Sequence, residues 1–146
     1  MLSKIKQLNE NAQPKLDADQ LAKLDTLMKE LDGSSQLNTS KDTWNVVFTM
    51  LSWKSDIRFP AIDLCRILVL RTKLDQEVIA KIVQAVKSLE KDAFFDRNSG
   101  LAMKLLTNMA TLENGLNWSD IFATTKMWYD SQNKGVREAY VTMLAK

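Results

Sequence analysis

A chain of 146 residues, 45% hydrophobic and 26% charged with a formal net charge of +2, can bury one sizeable core but lacks the charge excess that tracks nucleic acid. Its one cysteine, Cys65, excludes an internal disulfide and suits a reducing compartment, and having no histidine it lacks the commonest general base, the commonest metal ligand and both Ser-His and Cys-His nucleophile pairs. Met1 to Gln7 alternate apolar and polar types unlike a secretory signal, and no apolar run approaches the roughly 20 residues of a membrane span.

Helix signals then follow one another. A weak first helix is expected over residues 2–11, and Pro14 separates it from the next. Asp17 and Gln20 have capping-box spacing, in which two side chains satisfy free N–H groups at a helix start. Behind them Leu21, Leu24, Leu27, Met28 and Leu31 recur at three- and four-residue intervals, and Gly33 closes the helix before the Ser34-Ser35 loop. Ser40 can cap a helix carrying Trp44, Val47, Phe48 and Leu51, with Trp53 near its end. Phe59–Arg71 is the clearest element. Pro60 suits a first helical turn, and after it apolar residues lie on nearly every side, broken only by Asp63 and Arg66. Such a helix belongs inside a stack of others.

Asp75 caps a helix bearing Val78, Ile79, Ile82, Val83, Val86 and Leu89. Asp92 to Gly100 reads as a charged connection, Leu101 to Leu112 as a helix stopped by Asn114-Gly115. Ser119 is expected to cap a helix from Ile121 to Tyr129, Ser131 to Gly135 to turn, and a last helix to begin at Val136. Glycine and proline are scarce, and no hairpin dipeptide sits between alternating runs, so the fold class is all-α with about eight helices.

A closed bundle and a solenoid of stacked helix pairs both fit these helices. Leu64-Cys65-Arg66-Ile67-Leu68 and Ala102-Met103-Lys104-Leu105-Leu106 share two apolar or small residues, a cation and two large apolar residues, 38 positions apart. The same step again reaches Tyr140 to Leu144, with Thr142 in the cation's place. A period of about 40 is that of armadillo and HEAT repeats, which favours the solenoid.

Phe59-Pro60-Ala61-Ile62-Asp63-Leu64-Cys65-Arg66 resembles the FPALD(I/L)LR signature of the PUL domain, the C-terminal armadillo-like domain of phospholipase-activating proteins. Lys4-Ile5-Lys6-Gln7-Leu8-Asn9 is similar to that family's KLKELN, Leu16 to Leu21 to its LTEDDL, and Leu101 to Asn108 to its LALRxxxN. Trp44 and Ser55-Asp56-Ile57-Arg58 stand where the family has a tryptophan-bearing helix and a PEDI-like turn. Order and spacing agree along essentially the whole chain. The family's domain holds more repeats, so this chain reads as its N-terminal portion, with leading helices over 1–38 and stacked repeats over 39–146.

The resemblance implies a non-enzymatic adaptor without a cofactor, acting in the cytoplasm or nucleus. It would bind the acidic, aromatic-ended C-terminal tail of the valosin-containing-protein AAA ATPase in ubiquitin-dependent degradation and sorting. Ubiquitin-pathway proteins would be met through other domains of the full-length protein. Neither nucleic acid nor a membrane is an expected partner. The family's basic inner groove maps onto Lys104 and Asn108, four apart on one helix face, with Arg66 and Lys146 as their repeat equivalents. Lysine where the family has arginine loses a planar fork for carboxylates.

Each of these residues also has an ordinary reading: Lys104 as a solvated cation, Asn108 as a locally bonded amide, Arg66 as the ion-pair partner of Asp63. Arg71 and Lys73 extend the patch or merely complement the end of their own helix. Cys65, Trp44, Trp53, Trp118, Trp128 and Tyr129 read first as core or interhelix packing. The alternative function is a structural scaffold or self-association module that binds no peptide. No carboxylate pair stands out to support a hydrolase.

Overall fold

The computed structural model describes residues 1–33, 36–112, 116–128 and 133–145. Among them run eight α-helices: α1 (Leu2–Asn9), α2 (Ala18–Leu31), α3 (Lys41–Leu51), α4 (Phe59–Arg71), α5 (Gln76–Lys87), α6 (Phe95–Ala110), α7 (Trp118–Thr125) and α8 (Lys134–Leu144). A single 3-10 turn, Lys126–Trp128, follows α7. The described residues form no strand; Leu37 and Thr72 make one isolated parallel bridge, with the Leu37 N–H donating to the Arg71 carbonyl at 2.7 Å. The all-helical class expected from the sequence is what the chain adopts.

Most helix starts are written locally. The Gln20 N–H donates to Asp17 Oδ1 at 2.8 Å, and the Asp17 N–H donates to Gln20 Oε1 at 2.9 Å, which completes the capping box. Ser40 accepts from the Thr43 N–H and Asp75 from the Val78 N–H. Pro60 sits in the first turn of α4, which spans Phe59–Arg71 as expected.

Four boundaries differ. Helix α1 stops at Asn9 because the Asn9 side chain leaves the helix to bracket Leu16, its Nδ2 donating to the Leu16 carbonyl at 3.0 Å and its Oδ1 accepting from the Leu16 N–H at 2.7 Å. Helix α6 begins at Phe95, so the charged connection is shorter than expected. Its first turns bury Phe95, Asn98 and Ser99, and Asn98 Nδ2 donates to the Ser55 carbonyl at 2.8 Å; two polar residues behind Phe95 on the buried face interrupt the apolar period. Helix α7 is capped by Asn117, which accepts from the Asp120 N–H, and not by Ser119. Helix α8 starts at Lys134 behind the Asn133 cap, which takes Gly135 into the helix. The readings of Ser34-Ser35, Asn114-Gly115, Tyr129 and Ser131 lie outside the described residues.

Packing mainly joins each helix to the second one after it. The most extensive interface is α4 against α6, and α6 continues onto α8; on the other side α3 meets α5 and α5 meets α7. Helix α3 also packs on α4, and α1 and α2 precede it. Small residues explain the α4–α6 approach: Ala61 and Cys65 share one face of α4, Ser99 and Ala102 one face of α6, and all four are fully buried. Around them Leu64, Leu68, Leu105, Leu106 and Met109 are fully or almost fully enclosed, each contributing about 1.5–3 kcal/mol of apolar burial. Trp44, Trp53 and Trp128 are buried as expected, while Trp118 is half-buried against Phe122, ring centroids 5.5 Å apart.

The lone cysteine belongs to this core. Burial pushes the Cys65 thiol well above its usual range, so at neutral pH it stays a protonated, unreactive small hydrophobe. Dithionitrobenzoate is expected to titrate no thiol in the native chain and one in denaturant. Prompt reaction of the native chain would mean that the α4–α6 seam opens.

Candidate functional site

The face shared by α4 and α6 carries three of the four residues singled out from the sequence. Arg66 is half-buried, and its Nε and Nη2 both donate to Asp63 Oδ1, at 2.9 and 2.7 Å. Its guanidinium is therefore largely neutralised one turn away on its own helix. The Arg66 carbonyl accepts from Asn108 Nδ2 at 2.8 Å, so Asn108 ties α6 to α4 across 42 positions of sequence. That bond uses the amide's N–H side; its carbonyl oxygen and remaining N–H can still meet a ligand backbone. Lys104 stands one turn before Asn108, exposed and without an ion pair among the described residues. Lys146 lies outside the described residues.

The α8 position equivalent to Arg66 and Lys104 is Thr142, whose hydroxyl donates to the Glu138 carbonyl of its own helix at 2.9 Å. The face is thus less cationic than the sequence implied, and Lys104 is its clearest unneutralised charge. Arg71 does not extend it: Nη1 and Nη2 donate to the Leu31 and Gly33 carbonyls at 3.3 and 2.7 Å and so close the end of α2.

Two features of this face escaped sequence reasoning. Arg97 lies with its guanidinium carbon 4.2 Å from the Phe59 ring centroid and 5.1 Å from that of Phe94, and Nη2 donates to the Ser55 and Asp56 carbonyls at 3.0 and 2.9 Å. Partial burial lowers its pKa, while the fields of Asp56 and Asp92 raise it. A groove of about 380 Å³, open to solvent, runs beside it between Met1, Lys4, Phe59, Pro60, Asp63 and Leu101. The only sequence hint of either was aromatic residues at the start of α4 and at the start of α6.

The opposite side, between α3 and α5, holds a separate groove floored by Phe48, Leu51 and Ala85. There Lys81 lies 5.1 Å over the Phe48 ring, but Glu77 pairs with both Lys41 and Lys81, at 3.0 and 3.3 Å, and offsets part of their charge. No group of three or more potential metal ligands gathers among the described residues, and none of the described helices is long and apolar enough to cross a membrane.

Among known proteins, a family model described as the PUL domain matches residues 1–145. No curated protein and no solved structure matched the chain.

Proposed function

Because this chain belongs to the PUL domain family, a family of protein-interaction domains, we propose that it is a non-enzymatic adaptor that binds the acidic C-terminal tail of the valosin-containing-protein AAA ATPase. The observation that carries the reading is membership across essentially the whole chain, together with an exposed Lys104 that makes no ion pair among the described residues, beside an Asn108 locked to the neighbouring helix. In this reading the second-neighbour contacts are those of an armadillo-like solenoid, with leading helices over 1–38 and repeats after them. Helices α4, α6 and α8 form its inner row. Ubiquitin-dependent degradation and sorting, in the cytoplasm or nucleus, would be the setting. Other domains of the full-length protein would supply the ubiquitin contacts.

The physics favours such a ligand. A disordered tail loses conformational entropy on binding, and a preformed helix face limits that loss to the tail alone. Lys104 offers a cation to carboxylates, and the Asn108 amide, held at 2.8 Å from the Arg66 carbonyl, offers a fixed polar group to peptide backbone. Fluorescence anisotropy with a labelled tail peptide tests this. Saturable binding is expected, weakened roughly tenfold by Lys104→Glu and weakened by rising salt because the charges are exposed. A folded chain that gives no saturable signal sinks the reading and leaves a packing scaffold.

A further inference from the structure

A guanidinium is rich in N–H donors and accepts nothing, so a fold that buries one must supply acceptors. Arg58, the residue before α4, is only 7% exposed. Its Nε donates to the Trp53 carbonyl at 2.7 Å. Its Nη1 is fully enclosed and meets no protein acceptor. An enclosed donor without an acceptor is destabilising, which calls for an explanation of this one.

Arg58 lines a narrow cavity whose walls also include Leu51, Ile82, Val86, Leu89 and Leu105, all buried. Helix α3 stops at Leu51. The Ser52 N–H covers the Phe48 and Thr49 carbonyls at 3.1 and 3.2 Å, and the Trp53 N–H covers the Met50 carbonyl at 3.1 Å. No donor among the described residues reaches the Leu51 carbonyl, which is one of the acceptors a helix end leaves over. The carbonyl of Leu89, just past α5, likewise has no donor among them. One unmet donor and two unmet carbonyls thus belong to the walls of one cavity.

Size decides what can join them. A volume of about 10 Å³ is the least that admits a water. Chloride is larger than water, and a phosphate or carboxylate group is larger still. An apolar guest would leave Nη1 unmet. Water both accepts and donates, as these groups require.

We infer that this cavity holds one structural water, which accepts from Arg58 Nη1 and donates to the Leu51 and Leu89 carbonyls. The water ties the ends of α3 and α5 to the turn that starts α4. Because the same guanidinium holds the Trp53 carbonyl, it completes a polar node inside an otherwise apolar core. The inference is independent of the peptide-binding reading.

The first test is water–methyl NMR of the unaltered chain. Ile82 and Leu105 methyls should show cross-peaks to water, with the opposite signs in laboratory-frame and rotating-frame experiments that mark a long-lived water. No hydroxyl side chain lines the cavity among the described residues to relay them. The second test is Val86→Ile, which adds one methyl group, about the bulk of a water, to the cavity wall. It should abolish those cross-peaks and lower the amplitude of oxygen-17 relaxation dispersion by one water's share. It should also raise the unfolding constant in urea roughly tenfold, because Nη1 is left unmet. A cavity without water predicts the reverse sign, since filling a void stabilises. Absent cross-peaks in the unaltered chain, a variant more stable than its parent, or a variant that loses stability with the oxygen-17 amplitude unchanged would each overturn the inference. Stability that rises when chloride replaces fluoride at fixed ionic strength would make the occupant an anion and overturn it too. Should Val86→Ile fail to fold, the cross-peaks of the unaltered chain decide.

Discussion

Trp53→Ala is expected to lower the unfolding free energy by about 3–5 kcal/mol, the range for deleting a large aromatic from a core that cannot close over the gap. Trp53 is fully buried just beyond α3, and it is a junction as well as a filler. Its indole Nε1–H donates to the Pro14 carbonyl at 2.8 Å, and its own carbonyl accepts from Arg58 Nε at 2.7 Å. The ring therefore joins the segment before α2 to the turn that starts α4. Trp53→Phe keeps most of the packing and loses the indole bond, so it should cost only about 1–2 kcal/mol. Urea denaturation of the two variants checks this. Equal costs would assign the effect to the hydrogen bond and not to the filled volume.

The second large effect is expected at Asn9. Its amide satisfies both the N–H and the carbonyl of Leu16, at 2.7 and 3.0 Å, and both residues are buried. Asn9→Ala leaves two enclosed backbone groups without partners, at about 1–3 kcal/mol each before any water enters. A total loss of about 2–4 kcal/mol is expected, accompanied by loss of hydrogen-exchange protection at the Leu16 amide. A stability loss with Leu16 still protected would mean that another group takes over the bond.

Both sites lie off the repeat pattern, and they mark how far the sequence could be read. Signals confined to one turn were legible: the Asp17–Gln20 box, the Ser40 and Asp75 caps, and Pro60 at the start of α4. The Asp63–Arg66 pair also belongs to this group, being three residues apart on one helix. What spans the chain was not legible. Asn108 to the Arg66 carbonyl crosses 42 positions, Arg97 to the Ser55 carbonyl another 42, and Lys87 to Asp120, at 2.7 Å, crosses 33.

The start of α6 was hidden for a related reason. Asn98 and Ser99 look like loop residues, and they are buried only because the Ser55 turn and the small face of α4 are there to receive them. The candidate site was legible as a set of residue positions, on the strength of resemblance to a family. Its electrostatics were legible only in part: the Asp63–Arg66 pair follows from three-residue spacing on one helix, but no local signal shows that Lys104 makes no ion pair among the described residues.

The central claim is that the α4–α6 face is the one that meets an acidic peptide. Backbone amide NMR of the chain, with the unlabelled ATPase tail peptide added stepwise, addresses it most directly. The account predicts shifts concentrated at Arg66, Lys104 and Asn108 that saturate with peptide. It predicts quiet signals at Phe48, Lys81 and Gln84 on the α3–α5 side. Saturating shifts on the α3–α5 side with Lys104 and Asn108 unmoved would contradict it.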